Sequence, residues 1–156
     1  MRTRGCTSVA TALALISLSG AVGAAAATSP AARVAHAATV SLRSTAYGKI
    51  LANSKGYTLY LFAKDKNDKS ECNIACLSIW PFLLVSGKPT AGPGVNQKLL
   101  GTIKVSGGNE VTYSGHPLYT YVPDTAPGVV TGEGSKSFGA EWWVVSSAGK
   151  AITKKP

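Results

Sequence analysis

Tyr60-Leu61-Phe62-Ala63-Lys64-Asp65 returns later in the chain as Tyr119-Thr120-Tyr121-Val122-Pro123-Asp124, each time a tyrosine, any residue, an aromatic, two residues and an aspartate. The approach repeats as well: Gly56-Tyr57-Thr58-Leu59 leads into the first stretch and Gly115-His116-Pro117-Leu118 into the second. Such a chain is best read copy against copy, with the copies spanning about residues 45–88 and 99–146. In an extended strand residues two apart share a face, so Tyr60 and Phe62 project together, as do Tyr119 and Tyr121. Two uses fit this pattern. The aromatics can build a core, each removing ~150–250 Å² from water, while Asp65 and Asp124, beyond the strand, accept backbone N–H groups in a turn. Alternatively, the tyrosine hydroxyls line a shared ligand groove.

Working outward, Val40-Ser41-Leu42-Arg43-Ser44 alternates apolar and polar residues, as a half-buried strand does. Gly48 to Leu51 and Tyr57 to Phe62 flank the turn Asn53-Ser54-Lys55-Gly56 as a hairpin. Asp65 to Ser70 is polar and reads as a surface loop. Cys72 to Ile79 spaces its apolar groups as one short helix does, ended by Pro81. Phe82 to Val85 reads as a buried strand, and Gly87 to Gly94, with Pro89 and Pro93, as the linker between copies. In copy two, Thr102 to Val105 and Glu110 to Tyr113 flank Ser106-Gly107-Gly108-Asn109, and Leu118 to Tyr121 follows a turn. Thr125 to Gly139 is nearly featureless. Glu141 to Val145 is the last clear strand, with Lys150 to Thr153 pairing back. These short strands predict a mainly-β fold: two pseudo-repeated antiparallel hairpin or meander units packed together, forming one domain over 40–153. Neither half is large enough to hold a core alone.

The 156-residue chain carries 17 glycines and 8 prolines, the composition of a turn-rich domain. Arg2 and Arg4, the apolar run Val9 to Leu18 and the Ala-rich sequence after it read as a secretory signal peptide and loose arm over 1–37, with cleavage near 26 or 37. The apolar run is too short to span a bilayer, so no transmembrane segment is expected in the mature chain. Loss of Arg2 and Arg4 lowers the formal charge from +9 to about +7, or about +6 if Arg33 goes as well. A secreted protein of that sign is drawn weakly to acidic wall polymers or anionic lipid. Its lysines are scattered, without a stripe of arginine interleaved with aromatics, so specific nucleic-acid binding is not expected.

Cys6 leaves with the leader, and Cys72 and Cys76 remain as an even pair in an oxidising compartment, where a disulfide is the default. Their spacing also permits two thiolates on one helix face. With His116 they would suit copper, giving an alternative extracytoplasmic copper-binding or electron-transfer accessory. Asp65, Asn67, Asp68 and Glu71 offer oxygens to calcium but lack the glycine and terminal glutamate of the twelve-residue calcium loop. Gly132-Glu133-Gly134-Ser135-Lys136 lacks the ending of a phosphate loop. No hydrolase nucleophile motif is present. Asp65 and Asp124 facing one another across a pseudo-twofold as an acid/base couple is a further alternative.

The paired Tyr60/Phe62/Asp65 and Tyr119/Tyr121/Asp124 motifs, the Cys-x3-Cys leading to Trp80-Pro81 and the Gly-rich approach to Trp142 resemble the secreted repeat of unknown function with the Yx(FWY)xxD motif, found in bacterial lipoproteins and secreted proteins. The resemblance covers about residues 45–146. It implies an extracytoplasmic compartment and a repeat boundary, and no reaction. The chain departs from lipoprotein members in lacking a cysteine at the cleavage site, so no lipid anchor is expected. Together these readings predict a secreted or envelope-associated binding or structural module, without catalysis or cofactor, acting on an unknown envelope or extracellular partner.

Overall fold

The computed structural model describes residues 39–154 and 156. The expected signal peptide and arm over 1–37, with its cuts near 26 or 37, lies outside the described residues. In chain order the strands are β1 (Val40–Thr45), β2 (Gly48–Asn53), β3 (Tyr60–Phe62), β4 (Leu84–Val85), β5 (Leu100–Val105), β6 (Gly108–Tyr113), β7 (His116–Pro117), β8 (Lys136–Ser137) and β9 (Ala140–Val144). One helical turn, α1 (Ile74–Leu77), and a short 3-10 turn at Gln97–Leu99 complete the elements. The fold is mainly β with antiparallel strand pairs.

Each copy opens with the same hairpin. β1 pairs with β2 from Val40↔Asn53 to Thr45↔Gly48, and β5 pairs with β6 from Leu100↔Tyr113 to Val105↔Gly108. The next contacts also match. Leu59 N–H donates to Leu51 O at 3.0 Å in copy one, and Leu118 N–H to Val111 O at 3.0 Å in copy two. After that the copies exchange partners. β3 of copy one pairs with β9 of copy two, placing Tyr60 opposite Val144 and Phe62 opposite Trp142. The corresponding segment of copy two pairs with copy one, where Leu83 N–H donates to Leu118 O and Thr120 N–H to Pro81 O, both at 2.9 Å. Between the two, Tyr60 and Tyr119 exchange backbone hydrogen bonds of 2.9 and 3.0 Å, so a pseudo-twofold axis passes between the motif tyrosines. Neither copy completes its own sheet, which is how two halves each too small for a core share one.

The motif strand is covered on both faces. Tyr60 and Phe62 join a cluster with Ile50, Cys72, Cys76, Trp80, Tyr119, Trp142 and Val144. Leu59 and Leu61 join a second cluster with Val40, Leu51, Val111, Tyr113, Leu118 and Val145. Burying a side chain such as Phe62 or Leu61 contributes about 1.5–3 kcal/mol each.

Several segments differ from the sequence-based expectation. The helix expected over Cys72–Ile79 is confined to Ile74–Leu77, because the Asn73 side chain caps it by accepting from Cys76 N–H at 3.0 Å, leaving Cys72 outside. Phe82 to Val85 is not a buried strand throughout: β4 is terminal in its sheet and Leu84 is 44 % exposed. The linker is tied down rather than loose, since Val40 N–H donates to Thr90 O at 3.2 Å and Gly92 N–H to Val40 O at 2.8 Å. The featureless stretch Thr125–Gly139 ends in β8, which turns through Phe138 and Gly139 into β9. Lys150 to Thr153 pairs back as expected, with Ile152 N–H donating to Val144 O at 3.0 Å.

Candidate functional site

The motif residues form two hydrogen-bonded latches across the pseudo-twofold. Tyr60 of copy one donates its O–H to Asp124 of copy two at 2.7 Å, and Tyr119 of copy two donates to Asp65 of copy one at 2.7 Å. All four side chains are buried. The second oxygen of each carboxylate does the turn work expected from the sequence. Asp65 Oδ1 accepts from Glu71 N–H at 2.7 Å, and Asp124 Oδ1 accepts from the backbone and hydroxyl of Thr131 at 2.9 and 2.5 Å. Each tyrosine oxygen has one further neighbour: Gly132 N–H donates to Tyr60 at 3.2 Å, and Ser70 Oγ lies 2.7 Å from Tyr119 Oη. Burial raises both tyrosine hydroxyls above the ordinary phenol range, with the facing carboxylates adding to it. They therefore stay protonated as donors. Burial also lifts Asp65 to about 6, against the downward pull of the Glu71 N–H and the Tyr119 hydroxyl.

Phe62 and Tyr121 hold the ends of a four-ring stack that crosses the axis. Phe62 stacks on Trp142 with centroids 4.2 Å apart, Trp142 on Trp80 at 3.9 Å, and Trp80 on Tyr121 at 4.1 Å. Ser137 accepts from both indoles, through Oγ from Trp80 Nε1 at 3.3 Å and through its carbonyl from Trp142 Nε1 at 3.2 Å. Gly132 lies so close to the stack that a Cβ there would fall 2.7 Å from Trp80 and 3.0 Å from Tyr121. The two ends differ. Phe62 has no exposed surface, whereas Tyr121 is half-buried and lines a groove of about 400 Å³ with Asn53, Lys55, Tyr57, Thr120, Val122 and Asp124.

Glu110 was not singled out by the sequence reading. It has no exposed surface, and neither carboxylate oxygen has a hydrogen-bond partner. It faces Leu84 on one side and Ile103 on the other. Burial, then the charge of nearby Asp65, pushes its carboxyl up to about 9, so it is protonated at neutral pH. A signal for it existed: in the copy alignment Gly48-Lys49-Ile50-Leu51 stands over Gly108-Asn109-Glu110-Val111, and an acid replaces a core isoleucine. Glu133 is half-buried, its carboxyl raised by that burial, and its Oε2 accepts from Val144 N–H at 2.6 Å.

Cys72 and Cys76 are joined as a disulfide with their Cα atoms 5.3 Å apart, within the range such bonds require. The two thiolates of the copper alternative are therefore spent. His116 sits on β7, paired with Tyr113. Among the described residues no three of His, Cys, Asp and Glu gather into a group that would hold a metal ion. Asp65 and Asp124 do not face each other as an acid/base couple, since each is engaged by the other copy's tyrosine. Of the oxygens of the calcium alternative, those of Asp65 accept from Tyr119 and Glu71, and Asn67 and Asp68 take left-handed turn conformations. Among the described residues no helix is long and apolar enough to cross a membrane.

Strand exchange, latched tyrosines and a buried aromatic stack define a mainly-β domain in which two copies of one motif complete each other. The chain belongs to the family described as a secreted repeat of unknown function, whose model matches residues 41–83 and 101–146. No curated protein and no solved structure matches the chain.

Proposed function

We propose that this chain is a non-enzymatic module of the envelope or the extracellular space that binds a ligand through its surface and uses the repeat motif to hold itself together. The observation that carries the reading is the reciprocal latch: Asp65 and Asp124, the motif groups best suited to acid or base chemistry, are buried and occupied by Tyr119, Tyr60 and turn donors. Burial and these hydrogen bonds suit a group that stabilises the fold rather than one presented to a substrate. The family description as secreted fits this compartment, and the basic charge fits attraction to acidic wall polymers or anionic lipid. The copper-accessory alternative is disfavoured by the Cys72–Cys76 bond, which leaves His116 without its two thiolates.

Retention of the purified secreted protein on isolated envelope material tests the reading. Saturable retention at ~0.15 M salt, where charge attraction beyond about 8 Å is screened, is the expected result. Retention no greater than that of an unrelated basic protein overturns it, as does a measured turnover lost in Asp65→Asn with the fold intact. Alkylation under denaturing conditions without prior reduction, read by intact mass, checks the copper alternative: two labelled thiols and a stoichiometric copper adduct would make it the leading reading.

A further inference from the structure

We propose that the groove beside Tyr121 is a subsite for one neutral pyranose ring of a glycan, an assignment that rests on the binding-module reading and names its ligand class. The comparison of the two ends of the aromatic stack leads to it. At equivalent positions Phe62 is sealed, while Tyr121 keeps part of its surface open. One face of Tyr121 is backed by Trp80 at 4.1 Å, and the Tyr60 ring meets it edge-on at 6.2 Å. The ring is thus fixed before any ligand arrives, which lowers the ordering cost of binding. A rigid aromatic surface at a groove about 400 Å³ in volume suits a ring of similar size with an apolar C–H face.

The polar groups of the groove favour hydroxyls over ions. Asn53 Oδ1 is committed to Lys55 N–H and Tyr57 N–H, both at 3.0 Å, so its NH2 is the end left to donate. Lys55 supplies a further donor, and the Thr120 hydroxyl, which donates to Pro81 O at 3.4 Å, a further acceptor; the groove contains one base, Lys55, and one acid, Asp124. Asp124 is occupied by Tyr60 and Thr131. With Asp124 buried and occupied, the free polar groups of the groove are the Asn53 NH2, Lys55 and the Thr120 oxygen, a mix of donors and an acceptor that a polyhydroxyl ring satisfies. Tyr57 and the exposed Val122 complete the apolar lining.

Trp80, stacked directly behind Tyr121, gives an intrinsic readout. Tryptophan fluorescence is followed during titration with cellotriose, maltotriose and the trimer of N-acetylglucosamine, each to about 10 mM, where even a millimolar site saturates. A saturable change with at least one of them is expected, weakened about tenfold in Tyr121→Ala and several-fold in Lys55→Ala. Because Tyr121→Ala also removes part of the stack, Val122→Arg is the second variant: its side chain is exposed, so it fills the groove without entering the core, and it should abolish the change at an unaltered melting temperature. No saturable change with any of the three sugars overturns the subsite, and so does a change that survives both Lys55→Ala and Val122→Arg. Envelope retention that persists undiminished in Val122→Arg would overturn the subsite alone, whereas loss of all retention in the unmodified protein would overturn the module reading beneath it.

Discussion

Ile50 and Glu110 occupy equivalent positions in the two copies, on the second strand of matching hairpins, and neither has exposed surface. One packs as hydrocarbon in the aromatic cluster, while the other holds two carboxylate oxygens without partners. Phe62 and Tyr121 show the same divergence at the ends of the stack, and copy one carries the Cys72–Cys76 staple while copy two carries the Phe138–Gly139 hairpin. Backbone symmetry has been kept where the copies exchange strands, and side-chain chemistry has diverged around it. The shared frame depends on reciprocal hydrogen bonds that neither copy can lose alone, whereas individual core positions need only volume.

The largest effect should come from cutting the latches unequally. Asp124→Ala removes the acceptor for Tyr60 and for both Thr131 donors, and should cost about 3 kcal/mol in denaturant unfolding, the sum expected of a buried acceptor lost from several donors. Asp65→Ala should cost about half of that. Its folded pKa is raised from 3.8 to about 6, so the native state holds its proton longer than the unfolded chain and stability falls as pH rises from 3.8 to 6. Removing Asp65 should therefore cost less at pH 7 than at pH 4. Equal costs at both positions and both pH values would show that the two latches are energetically equivalent after all.

Making the copies alike at their most divergent core position should gain stability. Glu110→Ile, copying Ile50, should stabilise by about 2 kcal/mol at pH 7, because an unpartnered buried acid is replaced by hydrocarbon. Glu110 is raised from 4.5 to about 9, so its contribution is present below pH 4.5 and is lost progressively as pH rises to 9. Melting temperature plotted against pH should slope downward over that window in the wild type and flatten in Glu110→Gln. An unchanged slope would mean that Glu110 is not the group titrating.

Removing the staple of copy one tests the other divergence. Replacing Cys72 and Cys76 together by alanine should cost about 2 kcal/mol, the loop-closure value for so short a loop, without loss of the strand exchange. The smallest effect is expected at the copy-two hairpin. Phe138 turns with φ of 61°, a conformation that bulky side chains disfavour. Phe138→Asn, whose short polar side chain tolerates that conformation, should raise stability by about 0.5–1 kcal/mol in thermal unfolding.

Much of this architecture was legible because strand alternation, paired turns and an internal repeat are local signals. The hairpin of copy two, the return of Lys150 to Thr153 and the pairing of Tyr60 with Phe62 on one face follow from period-two spacing and turn residues. The helix is shorter than its spacing predicts because cysteine and isoleucine spacing says where apolar groups fall, and the Asn73 cap decides where backbone hydrogen bonding begins. The position of Asp65 and Asp124 beyond the strand predicts turn acceptors, which one oxygen of each is. Their second oxygens, bonded across the molecule to Tyr119 and Tyr60, join residues more than fifty positions apart and leave no local pattern. Glu110 was visible only as an acid standing over Ile50, a mismatch that carries no information about what surrounds it.

By itself the sequence determined that there are two copies, that they are built of short strands, and which side chains share a face, since all of these depend on spacing along one chain. Tertiary structure decided that the copies trade strands, that each tyrosine latches the other copy's aspartate, and that one end of the aromatic stack is closed while the other opens on a groove. The physical reason is that burial and hydrogen bonding are settled by whatever packs opposite, and here the element opposite each motif belongs to the other copy.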